Sequence, residues 1–273
     1  MPDTAVSADG VPVCFEVRGT GTGGPSVVFV HGWSCDRRYW ADQLSHFAGR
    51  YQVVAVDLAG HGESGMGREV WTMPAFGADI VAVAEKLGLG PMVLVGHSMG
   101  GEAIVEAGLR LGDCVAGLVW VDTYRTLGGA QSAAKLERFL SPFRVDFVAA
   151  TRNWARSMFL PSSDPELAEW VISDMASAPP EVAIASLQHA LSFEPAIVTA
   201  LQDMTTSVVA INPDYRPNDI EALRRHGVQA VPMPGVGHFA MMEDPDAFNL
   251  LLAEAVDGFM SSPARTGSPA PPS

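Results

Sequence analysis

Met92-Val93-Leu94-Val95-Gly96-His97-Ser98-Met99-Gly100-Gly101 is the stretch whose reading decides the fold. Four apolar residues run straight into a serine flanked by glycines, and a helix-like pattern continues to about Leu111. This spacing predicts a buried strand that reverses sharply and enters a helix, with the serine at the apex and its hydroxyl exposed. Gly96 and Gly100 stand two residues either side of Ser98, where a Cβ would collide across the turn. The free N–H groups of the following helix point at the same place and can hold an anion. The plainer alternative is a glycine-rich turn whose serine only caps the helix.

Working outward, the same pattern of apolar run and tight loop repeats. Val27-Val28-Phe29-Val30 ends in His31-Gly32-Trp33, and Gln52-Val53-Val54-Ala55-Val56 ends in Asp57-Leu58-Ala59-Gly60-His61-Gly62-Glu63-Ser64. Short β-branched runs of this kind read as strands buried on both faces. A hairpin is expected to turn at Asp9-Gly10. Helical patterns cover about 73–88 and 98–111, and further strands are expected at about 115–121, 207–211 and 228–233, with helices after the last two. Alternation of this sort predicts an α/β fold with a doubly wound, mostly parallel sheet and its binding residues at the strands' carboxyl ends.

Together these motifs resemble the α/β-hydrolase superfamily over roughly residues 11 to 260. The resemblance rests on His31-Gly32-Trp33, on Asp57-x-x-Gly60-His61-Gly62-x-Ser64, on the Gly96-to-Gly101 elbow, and on Gly237-His238 followed by Glu243-x-Pro245. It implies that Ser98 is a nucleophile and His238 its general base, in the chain order serine, acid, histidine. His31, His61 and His97 belong to loop motifs and read as structural, while His46, His189 and His226 lie in helical stretches. The acid is expected at Asp214, which follows the strand Val208-Val209-Ala210-Ile211 and precedes Pro217. Asp122, at the end of the preceding core strand, is its main rival, and Asp219 a third that reads better as a helix cap. Backbone N–H groups of Trp33 and Met99 are expected to form the oxyanion hole. Glu102 departs from the pattern, because a small or apolar residue is expected so early in that helix.

Between Val121 and Ser207 lies a segment far longer than an ordinary connection. Phe139, Phe143, Phe147, Trp154, Leu187 and Phe193 recur there at approximately helical spacing. In the superfamily such an insertion forms a lid over the serine. The expected organisation is a core of residues 1–123 and 204–260, a helical cap of 124–203, and a disordered tail of 261–273 containing Pro263, Pro269, Pro271 and Pro272.

Composition narrows the function. At 273 residues and 48% hydrophobic the chain can bury one large core. A net charge of −14 opposes nucleic acid and an anionic membrane surface as partners. Three cysteines, Cys14, Cys35 and Cys114, have no metal spacing and suit a reducing compartment. Neither a signal-peptide pattern at Met1-Pro2-Asp3-Thr4 nor a run of about 18 apolar residues is present, so a cytoplasmic location is expected. The expectation is a serine hydrolase acting on small apolar carboxylic esters or related acyl compounds through an acyl-enzyme, with no metal or organic cofactor. C–C bond hydrolysis, lyase chemistry and perhydrolysis by the same triad stay open, as does a slowly turning-over ligand-binding or receptor protein. A serine in place of aspartate at position 98 opposes epoxide hydrolase and haloalkane dehalogenase chemistry. Oligomeric state is not legible.

Overall fold

A computed structural model describes residues 3–21, 24–129 and 132–261. Eight strands form a single sheet in the order β1-β2-β4-β3-β5-β6-β7-β8. The hairpin β1 (Asp3–Val6) and β2 (Pro12–Arg18) is antiparallel, and β2 pairs antiparallel with β4 (Val53–Val56). All other neighbours, β3 (Ser26–Val30), β5 (Met92–His97), β6 (Val115–Val121), β7 (Val208–Pro213) and β8 (Val228–Met233), are parallel. Every residue of β3, β4 and β5 is buried, as unbroken aliphatic runs in a sheet covered on both sides require.

Helices α1 (Ala41–Phe47), α2 (Met73–Leu87) and α3 (Met99–Leu111) follow β3, β4 and β5. On one face α2 packs against α3; on the other α1 packs against α10 (Pro245–Ser261). This second face is filled by aromatic rings, with Phe29 and Trp40 centroids 5.0 Å apart and Phe248 6.2 Å beyond Trp40. Trp40 and Phe248 are fully buried, and truncating either to alanine would cost about 3–5 kcal/mol. Because the chain leaves β3 for β4 on one side and then crosses back to β5 on the other side of β3, the strand order reverses there, which opens a crevice at the carboxyl ends.

Four helices fill the long connection between β6 and β7: α4 (Ala133–Val145), α5 (Phe147–Arg156), α6 (Pro165–Ala176) and α7 (Pro180–Asp203). The last of these lies on α3 and α2, while α4 packs on α5 and α7. Short helices α8 (Ile220–Arg225) and α9 (Ala240–Glu243) complete the chain order. Strand β7 runs two residues further than the hydrophobic pattern suggests, since Asn212 and Pro213 continue the ladder against Pro232 and Met233 of the edge strand. The expected tail lies outside the described residues apart from Ser261, which ends α10. No described helix is long and apolar enough to cross a membrane.

Candidate active site

Ser98 stands alone between β5 and α3, with φ 51° and ψ −119°. A non-glycine residue held in the left-handed region costs on the order of 1–3 kcal/mol, so its surroundings must impose the conformation. They do so by contact. A Cβ on Gly96 would lie 2.4 Å from the Gly100 carbonyl oxygen, and one on Gly100 would lie 2.4 Å from that of His31. The Ser98 N–H donates to the Val121 carbonyl of β6 at 2.9 Å. Both glycines are therefore obligatory for a turn this tight.

Beside the serine's strand, β6 ends in Asp122, which is also left-handed at φ 46° and only 5% exposed. Its Oδ2 lies 2.6 Å from Nδ1 of His238, and its Oδ1 pairs with the Arg125 guanidinium at 2.5 Å. The Tyr215 hydroxyl donates a third, longer bond of 3.2 Å to Oδ2. Burial alone would raise the pKa of this carboxyl, but the charges of His238 and Arg125 prevail and hold it below the ordinary range. A carboxylate can only accept, so Nδ1 carries the proton of this hydrogen bond and Nε2 is the ring nitrogen left outside it.

His238 itself is fixed from two sides. Its N–H donates to the Met158 carbonyl after α5 at 2.9 Å, and its own carbonyl accepts from Nε2 of His97 at 3.0 Å. The His97 and His238 ring centroids are 4.5 Å apart. Burial, followed by proximity to His238, drives His97 well below its usual value and keeps it uncharged. His97, next in the chain to Ser98, thus connects the serine's turn to the histidine's loop.

The other loop histidines are structural. His31 accepts from the Leu58 N–H through Nε2 and contacts the Gly32 carbonyl through Nδ1, and burial lowers its pKa to about 4. Burial likewise lowers His61 to about 3. Asp57 accepts from the N–H groups of Arg37 and Glu63, closing the loop after β4.

The structure corrects the expectation for Asp214. That residue is exposed, and its Oδ1 accepts from the Gly235 N–H at 3.1 Å instead of facing the imidazole. It follows β7, one strand further from β5 than β6 is, and the β7 ladder has carried it beyond the site. Asp219 caps α8 by accepting from the Ala222 N–H. The partners of Asp122, namely Arg125 and Tyr215, are not singled out by the motifs. Only the spacing Asp122-x-x-Arg125 signals the ion pair in the sequence.

Met99 is the first residue of α3, so its N–H has no carbonyl one turn behind it. The Trp33 N–H makes no backbone hydrogen bond among the described residues. The Trp33 side chain reaches the inserted helices: its Nε1 donates to the Ala183 carbonyl of α7 at 2.7 Å, and its ring meets Phe143, Phe147 and Trp154 at 5.7, 6.1 and 5.1 Å. An aromatic cluster thus joins the loop after β3 to α4, α5 and α7. Among the described residues no three His, Cys, Asp or Glu side chains are grouped to hold a metal ion.

Comparison with known proteins gives the family. The chain is 31% identical to the lipase LipV of Mycobacterium tuberculosis over 164 residues, covering 58% of this chain and 62% of the lipase. It is 36% identical to a non-heme chloroperoxidase of Streptomyces lividans over 104 residues, 38% of this chain and 37% of that protein. These matches span less than two thirds of either relative. An esterase from Thermogutta terrifontis superposes with a TM-score of 0.81 at 24% identity, covering 95% of this chain and 99% of the esterase. The sequence model of the alpha/beta hydrolase family matches residues 27–249, which include Ser98, Asp122 and His238, and the chain belongs to that family.

Proposed function

We propose that this protein is a serine esterase for small apolar carboxylic esters. The observation that carries the reading is the buried Asp122–His238 pair, 2.6 Å apart, held beside a serine in a strained left-handed turn. Ser98 Oγ attacks the ester carbonyl as His238 Nε2 takes its proton, forming a tetrahedral oxyanion. The N–H groups of Trp33 and Met99 donate to that oxygen. The imidazolium returns its proton to the departing alcohol as the C–O bond breaks and the acyl-enzyme forms. Water, deprotonated by the same imidazole, then attacks the acyl carbon, and collapse releases the carboxylic acid and restores Ser98. Asp122 keeps Nδ1 protonated and stabilises the imidazolium throughout.

In this reading residues 1–123 and 204–260 form the hydrolase core and 124–203 its cap. The rings of Phe139, Phe143, Phe147 and Trp154, gathered on Trp33, favour an apolar acyl or alcohol group in the site. The lipase and esterase among the similar proteins support the same chemistry. A fluorophosphonate probe should label the wild-type protein and fail on S98A, and p-nitrophenyl esters of increasing chain length should be turned over up to a limiting length. Folded wild-type protein that neither labels nor turns over any ester would overturn the proposal.

The similarity to a chloroperoxidase favours one second reading, perhydrolysis, in which hydrogen peroxide replaces water as the acceptor of the acyl group. Peroxide- and carboxylic-acid-dependent bromination of monochlorodimedone, abolished in S98A, would distinguish it from simple ester hydrolysis.

A further inference from the structure

Glu102 follows Ser98 by four residues, in the first turns of α3, and is only 6% exposed. Its Oε1 accepts from the Tyr124 hydroxyl at 2.6 Å, while its Oε2 is buried without a hydrogen-bond partner among the described residues. Tyr124 lies two residues after Asp122. This single hydrogen bond therefore joins the helix of the nucleophile to the loop that carries the acid.

That loop is held on two sides. Towards β7 and α8, Asn212 Nδ2 donates to the Tyr124 carbonyl at 2.8 Å, Arg125 donates to the carbonyls of Pro213 and Arg216, and the Arg125 carbonyl accepts from the Asp219 N–H. Those ties place the loop relative to the later strands. Its placement against α3 rests on Tyr124, on the Trp120 indole donating to the Gly101 carbonyl at 2.9 Å, and on Thr123 lying against Gly101. A Cβ on Gly101 would stand 1.9 Å from Thr123 Oγ1, so the Thr123 side chain lies directly on the α3 backbone here without room to spare. Trp120 and Tyr124 rings also pack at 5.3 Å. Of these α3-side contacts only the Glu102–Tyr124 bond lies beyond Asp122 and joins two side chains, so it can be removed without disturbing the elbow glycines.

We propose that Glu102 and Tyr124 are positioning residues whose hydrogen bond holds the Asp122 loop in register with the helix of Ser98. The proposal deepens the esterase reading and rests on Ser98, His238 and Asp122 acting together. It also gives a reason for a carboxyl at a site where burial is costly. Ionisable groups act on it from two elements packed against α3: Tyr124 from the loop after β6, and Glu194 from α7, which itself accepts from the Gly128 and Gly129 N–H groups. Burial, with Glu194 adding repulsion, keeps Glu102 protonated in neutral solution.

The test compares Y124F, E102L and E102Q in the full chain. Y124F removes the donor, E102L removes the acceptor at similar volume, and E102Q keeps an oxygen for Tyr124. Steady-state kinetics on p-nitrophenyl acetate would be read beside the low-field NMR resonance of the His238 Nδ1 proton, which reports the acid–imidazole contact without substrate. Folded Y124F and E102L should each lose about tenfold in kcat with little change in KM, since sub-ångström misplacement is enough for such a loss. Their Nδ1 proton should exchange faster with solvent, and E102Q should restore both readouts towards wild type. Wild-type kcat and an unchanged resonance in both Y124F and E102L would overturn the proposal, as would a loss in Y124F alone. If Y124F does not fold, E102L against E102Q decides by the same two readouts. An inactive wild type would refute the esterase reading instead, and the resonance would still decide this one.

Discussion

Replacing Glu102 by glutamine should change how stability depends on pH, and the size of the change follows from burial. An ordinary glutamate titrates near 4.5, whereas desolvation, opposed by the Tyr124 hydrogen bond and assisted by Glu194, moves Glu102 up to about 8. The folded protein thus binds this proton more tightly than the unfolded chain does. For a group raised in this way, the stabilising contribution is fully present below the unfolded value and is lost as pH rises towards the folded one. At about 1.4 kcal/mol per pH unit, wild type should lose about 2–3 kcal/mol relative to E102Q between pH 5 and pH 7, and about 1 kcal/mol more by pH 8. The amide carries its own constant offset, because its second donor replaces a buried oxygen that has no partner. That offset does not vary with pH, so the difference between the two proteins isolates the glutamate. Urea unfolding of both proteins at pH 5, 6, 7 and 8 measures it directly. Two parallel curves would refute the reasoning, since they would mean that Glu102 is solvated or ionised in the native state.

Other substitutions test the site itself. D122N should lower kcat by about 10³–10⁴-fold by losing the carboxylate that fixes the imidazole tautomer, while D214N, at an exposed side chain, should stay within about 0.5 kcal/mol of wild type in stability and leave ester turnover unchanged. The reverse pattern in p-nitrophenyl ester assays would restore Asp214 as the acid. W33F keeps an aromatic ring but removes the indole donor to the Ala183 carbonyl, which still accepts from the Ser186 hydroxyl, so thermal unfolding should show a loss of about 0.5–1.5 kcal/mol; no loss would mean that the Trp33–α7 bond contributes nothing. G100A drives a Cβ towards the His31 carbonyl oxygen and should cost about 1–3 kcal/mol as overpacking, with fluorophosphonate labelling of Ser98 slowed even where the protein still folds.

Much of this architecture is legible without coordinates because it depends on local rules. An aliphatic run that ends in Gly-x-Ser-x-Gly leaves the chain few ways to proceed, and β5, the turn and α3 lie where that pattern predicts. The strand before His31 and the strand before Asp57 follow from the same burial logic. Glu102 is visible as an anomaly, but its partner is not. Tyr124 is 22 residues away along the chain, and only the packing of β6 beside β5 brings its hydroxyl to the carboxyl.

The acid marks the boundary most sharply. Asp122 and Asp214 both follow a core strand and both lie between Ser98 and His238 in the chain, so composition, periodicity and motif order treat them alike. Sequence by itself determined the fold class, the elbow and the histidine's loop, because steric demands on neighbouring residues are written in neighbouring residues. Only the tertiary structure decided which carboxylate meets the imidazole. Strand order places β6 next to the serine's strand and β7 one strand further away, the left-handed backbone at Asp122 sets the carboxyl in reach of His238, and Arg125 completes the charge balance that lets it stay ionised while buried.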